Sequence, residues 1–192
     1  MLRDIKAKTI LFLGIILLAS LGYNVYQYYE KDKTNKWQQS VIENDMRNYE
    51  VVFSNAFYDT NTDSIDNNIN ISSTEELSGV IESIQDAVSY WRAASSLLDN
   101  GDISTDLLIQ GYLQELKGYR SALSNKEEIT TDDENLVKGA LNDLTTIAEW
   151  LYSRYKDNNF SFYTQKDFGN EVLDKLNSEI KNNYINFFNT AA

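Results

Sequence analysis

Cysteine, proline and histidine are all missing from the 192 residues, and each absence removes a class of protein. Without cysteine there is no disulfide framework, thiolate nucleophile, zinc ribbon, iron–sulfur cluster or lipidated thiol. Without histidine the chain cannot supply a Ser-His-Asp triad, an H-E-x-x-H zinc site or the Glu-x-x-His pairs of a di-iron bundle. The lack of proline suits long, uninterrupted helices. Positive charge is also scarce: 17 Lys and Arg face 29 Asp and Glu, a formal balance of −12. Nucleic acid is therefore not an expected partner, because binding it needs clustered cations that displace counterions. What the chain does have is 42% apolar residues, with 13 Tyr, 8 Phe and 3 Trp. That is enough for one packed core, and the length fits one domain with an appendage.

The appendage is N-terminal. Arg3, Lys6 and Lys8 precede a run of 21 uncharged residues, 9–29, whose centre from Ile10 to Leu18 is almost wholly apolar. As a helix that run is about 31 Å long, enough to cross a hydrocarbon core of roughly 30 Å. The leading cations keep the short N-terminus (1–8) cytoplasmic, and Tyr23, Tyr26, Tyr28 and Tyr29 fall where an aromatic belt meets the outer interface. A cleaved signal peptide is the rival reading. Its best small-x-small site, Ser20-Leu21-Gly22, is poor, and the helical pattern continues beyond it. The expected protein is thus a signal-anchored, single-pass protein of the cell membrane, with 30–36 as a juxtamembrane stalk and 37–192 outside. Beyond Lys36 the chain holds 11 basic and 26 acidic side chains, a balance of −15. The bias toward Asn, Lys, Ile and Tyr resembles that of an AT-rich bacterial genome.

Hydrophobic spacing in the acidic part is helical nearly throughout. Ile42, Met46, Tyr49, Phe53 and Ala56 form a first stripe. Leu77, Ile81, Ile84, Val88, Trp91, Ser95 and Leu98 form a second, preceded by the capping-box pattern Ser73-x-x-Glu76. Leu108, Tyr112, Leu116, Tyr119 and Leu123 make a third. A second box at Thr131-x-x-Glu134 introduces a fourth with Val137, Leu141, Leu144, Ala148, Leu151 and Tyr155. Phe168, Val172, Leu176, Ile180, Tyr184 and Phe187 predict a fifth. No stretch alternates as a strand should. The fold class expected is all-α: a transmembrane helix followed by an extracytoplasmic antiparallel bundle of four to five helices.

Few residue patterns point to chemistry. The loop 59–66 begins like a calcium loop with Asp59, Asn61 and Asp63, but Ser64 and Asn70 stand where the sharp-turn Gly and the bidentate Glu belong. An EF-hand is excluded. A flexible connection is the preferred reading, and a weak cation site on Asp59, Asp63 and Asp66 is the lesser one. Phe160 and Phe162 lie in a loop and are candidate partner contacts, whereas Tyr163 and Phe168 have the spacing of a hydrophobic staple. Trp91 reads as core, Trp150 as half-buried, and Trp37 as an interfacial anchor or a bundle-base residue. Asn70-Ile71-Ser72 and Asn159-Phe160-Ser161 match glycosylation sequons, patterns short enough to arise by chance. The acidic groups Glu127-Glu128 and Asp132-Asp133-Glu134 suit a loop and a helix N-terminus. No catalytic pair, metal set or cofactor motif stands out, so no cofactor is expected. The expectation is a non-enzymatic interaction or scaffold protein that works through the bilayer and a protein partner. The alternative is an extracytoplasmic ligand- or cation-sensing bundle.

Overall fold

The computed structural model describes residues 2–97, 104–157, 168–169 and 171–182, with the side chains of 2–16, 18, 19 and 104 outside the description. Four long helices dominate: α1 (Leu2–Asn55), α2 (Thr74–Ser95), α3 (Ser104–Asn125) and α4 (Thr131–Lys156). The chain divides into two compact units, Met1–Val41 and Ile42–Ala192.

In the first unit α1 is helical throughout its described length. Leu17, Leu21, Tyr23, Val25, Tyr26, Tyr28, Tyr29 and Trp37 all stand exposed. Among the described residues no helix is long and apolar enough to cross a membrane. The expected membrane segment 9–29 draws its apolarity from Ile10 to Leu18, and of those side chains only Leu17 is described.

The second unit is a bundle, and each apolar stripe is what closes it. Helices α2 and α3 run antiparallel, tied at one end by Arg92 to Asp106 (3.0 Å) and toward the other by Arg120 to Ser78 (3.3 Å). Helix α4 returns alongside α3. The last turns of α1 pack against both α2 and α4. The Tyr49 ring meets Trp91 at 5.4 Å between centroids, and Ser54 donates to the Ala148 carbonyl at 3.2 Å. Met46, Tyr49, Phe53, Leu77, Ile81, Ile84, Val88 and Trp91 are buried with most of their counterparts on α3 and α4, whereas Ile42, Ala56, Ser95, Leu123 and Tyr155 are only partly covered. Leu98, Tyr184 and Phe187 lie outside the described residues.

Helix α1 stops short of the full bundle. Beyond Asn55 its place is taken by a small antiparallel hairpin, β1 (Tyr58–Asp59) and β2 (Ser64–Ile65), in the register Tyr58↔Ile65 and Asp59↔Ser64. Ile65 closes the core there, and Asn67 donates to Asn142 of α4 at 2.6 Å. The loop 59–66 thus carries a short hairpin whose acids bond within it, an element that the sequence pattern does not predict. Strands of two residues are too short to leave an alternating pattern in sequence.

Two helix ends also differ from expectation. Ser73 caps α2 by accepting from the Glu76 amide, but the Glu76 carboxylate accepts from the Asn70 amide (2.9 Å) instead of closing the box. The box at α4 lies one residue earlier than predicted. Thr130 is the cap, its amide donating to Asp133 at 2.9 Å and its hydroxyl accepting from the Asp133 amide. The run Thr-Thr-Asp-Asp-Glu fits both registers, and the shorter Asp side chain reaches back as well as Glu does.

The fifth stripe is right about burial but not about a single helix. Phe168, Val172, Leu176 and Ile180 are buried. The backbone between them forms a 3-10 turn over Leu173–Lys175, becomes extended at Leu176 and resumes helical geometry at Glu179. The interruption has a specific cause on α4, described next.

Candidate functional site

The interruption is centred on Asp143. This carboxylate is 3% exposed and accepts three hydrogen bonds: from Tyr112 Oη at 2.8 Å, the Asn177 amide at 2.8 Å and the Ser178 amide at 2.9 Å. A buried carboxylate is tolerable only with such partners. The two amides are those a helix would otherwise direct to its preceding turn, so the chain breaks to satisfy Asp143. The segment packs close to α4 here: a Cβ at Gly139 would lie 3.4 Å from that of Ser178, at the edge of ordinary van der Waals contact. Burial and the Asp143 charge both push the Tyr112 hydroxyl to a higher pKa, so it stays a donor. Farther along α4, Trp150 donates to Glu171 at 2.6 Å and its ring meets Phe168 edge-on at 5.7 Å. Trp150 is thus nearly covered, more so than its sequence position implies.

A second buried acid links α1 to α4. Glu50 is wholly buried; its Oε1 accepts from Arg154 Nε at 3.0 Å, while Oε2 has no hydrogen-bond partner among the described residues. Burial raises its pKa to about 7, against the lowering pull of Arg154. The folded acid then retains a proton that the unfolded acid releases near 4.5. Stability should therefore fall as pH rises between these values, the reverse of an ordinary salt-bridged carboxylate. From pH 5 to pH 8 the expected loss is about 2–3 kcal/mol, and the lack of histidine leaves few other groups titrating in that window. Denaturant midpoints at the two pH values measure it. Glu50→Gln should flatten the dependence; an equally steep profile in that variant would assign the effect elsewhere.

The predicted cation residues lie on the hairpin, each occupied within its own loop. Asp59 accepts from the Asn61 amide at 2.8 Å, which holds its carboxyl below the usual range. Asp63, at φ 51°, accepts from the Tyr58 hydroxyl, a bond that pushes Tyr58 up to about 12. Asp66 accepts from the Asn67 amide and from Asn68. Among the described residues no group of three acidic side chains is gathered in a way that could hold a metal ion. Phe160, Phe162 and Tyr163 lie outside the described residues. Trp91 is core, and Trp37 is 61% exposed on α1.

One surface was not anticipated. Between the end of α3 and the start of α4 a cleft of about 280 Å³ opens, floored by Ala122, Ile129, Leu136 and Val137. Its rim is acidic: Glu115, Glu127, Glu128 and Asp133. Tyr119 forms part of the wall; burial and then the Glu134 and Asp133 charges raise its pKa. Gly118 stands at the mouth, exposed, with nothing within 4 Å of where a Cβ would be. In sequence the acids among them read only as suited to a loop and a helix start. The signal that could have found the cleft is Ile129, an apolar residue within an otherwise acidic turn.

Comparison with protein-family models, with characterised proteins and with solved structures gives no match. Function must be argued from the geometry.

Proposed function

We propose that this chain is a single-pass, membrane-anchored, non-enzymatic interaction protein whose helical bundle lies outside the cell membrane and acts through a protein partner. The observation that carries the reading is where apolar exposure falls. Every large exposed hydrophobic side chain among the described residues lies between Leu17 and Trp37, on the helix that follows the basic N-terminus. In water these tyrosines and aliphatic groups would be an exposed patch without purpose, whereas at a bilayer surface they are interfacial anchors. The bundle supports the second half of the reading. Its buried acids are spent on a helix break and an ion pair, and its exposed face is acidic, suited to a cationic protein surface and repelled by anionic headgroups.

The full chain should remain in the membrane pellet after high salt and alkaline carbonate, with added protease removing the bundle from intact cells. Release into the supernatant, or a mature N-terminus at Tyr23, would overturn the anchor. Gentle solubilisation followed by mass spectrometry tests the partner, and recovery only as an unassociated monomer would count against it.

A further inference from the structure

We propose that the cleft between α3 and α4 docks a short basic segment of a partner protein, seating one apolar side chain on the Ile129–Leu136 floor while flanking Arg or Lys residues meet the acidic rim. This rests on the reading that the bundle works through a protein partner and specifies where and with what chemistry.

Three observations converge on it. First, floor and rim have the two chemistries that such a segment carries. Ala122, Ile129 and Leu136 are only partly covered, and Glu115, Glu127, Glu128 and Asp133 surround them with no cation among the described residues of the lining. Carboxylates beside low-dielectric surface act on a cation more strongly than isolated surface charges do. Second, Gly118 has no role in the fold. It lies inside α3, its φ is not positive, and no described residue comes within 4 Å of where a Cβ would be. Alanine there would favour the helix by up to about 1 kcal/mol, but any longer side chain would stand in the mouth of the cleft. Gly79 on α2 is equally unhindered, but its cleft contains Arg120 and several hydroxyls and lacks an apolar floor. Third, a second copy of this chain is a poor occupant, because two surfaces of the same net −15 repel each other. The volume, about 280 Å³, lies at the small end of what ligand pockets enclose. The cleft lies beside the Asn125–Thr130 connection of α3 and α4.

The test uses the full chain in phosphatidylcholine nanodiscs, whose neutral headgroups do not themselves collect cations. The probe is acetyl-Arg-Arg-Leu-Arg-Arg-amide, compared with peptides carrying Ser in place of Leu or Glu in place of Arg. Methyl resonances of Ile129 and Leu136 should shift saturably with the first peptide. The Ser peptide should bind at least tenfold more weakly, and the Glu peptide should not bind. Gly118→Leu should reduce affinity at least tenfold without lowering the melting temperature. Glu127→Gln with Glu128→Gln should weaken binding and its salt dependence, leaving the floor untouched. Equal binding of the Leu and Ser peptides, unchanged affinity in Gly118→Leu, or no shift at Ile129 would overturn the proposal. Any of these would leave the membrane-anchored reading standing, because carbonate extraction and co-purification of the unaltered chain decide that separately.

Discussion

Asp143→Ala should lower the unfolding free energy by about 4 kcal/mol or more, the largest effect expected of any single substitution in the bundle. Hydrogen bonds to a charged group contribute about 1.5–3 kcal/mol each, and three donors converge on this carboxylate. Alanine leaves the Tyr112 hydroxyl and two backbone amides facing an apolar gap, with no room guaranteed for water. Asp143→Asn should be milder, since its carbonyl still accepts from one or two of the donors. Denaturant midpoints measure the total, and amide exchange locates it. The Asn177 and Ser178 amides should lose protection first, while those in the middle of α2 keep theirs until global unfolding. A near-neutral Asp143→Ala would mean that the C-terminal segment is held by Phe168, Val172 and Ile180 alone.

Trp91→Ala comes next, with an expected loss of about 3–5 kcal/mol, because transfer energy is forfeited and a cavity is left against Tyr49. That is a large fraction of the roughly 5–15 kcal/mol that stabilises an ordinary domain. Trp37→Ala, an equal change in volume, should alter the bundle's stability by about 0.5 kcal/mol or less because the ring is exposed. The pair separates burial from residue type. If Trp91→Ala proved as mild as Trp37→Ala, the second stripe would have to face a partner or solvent.

The four helical stripes were legible because each apolar face repeats at steps of three and four over 15 to 22 residues, a signal that few other arrangements imitate. The hairpin was not, since its register depends on Asp63 adopting a left-handed conformation and on side chains bonding within the turn. Asp143 was missed for a different reason. Helix α4 touches neighbours on two sides, and the stripe through Leu141 and Leu144 accounts for one of them. The second stripe runs through Ala140, Asp143, Ile147 and Trp150, all buried. An acid inside such a stripe can be read from sequence as a carboxylate requiring donors. Its particular donors, two amides 34 and 35 residues away, could not. The cleft is made by the relative placement of α3 and α4, and the mark it leaves in the sequence is slight: Ile129, apolar within an acidic turn.

The contacts of α1 set a schedule for the chain as it is made. Its last turns bond to α4 across separations of 94 and 104 residues, whereas α2, α3 and α4 meet their neighbours through short connections. At synthesis rates of about 5–20 residues per second, roughly 5–20 seconds pass between the emergence of Glu50 and that of Arg154. During that interval Tyr49 can meet Trp91 of α2, but the side of α1 that faces α4 stays uncovered and Glu50 lacks Arg154. The first bundle helix made is therefore among the last to be completed, and the apolar face it shows meanwhile is the one most in need of protection from other chains.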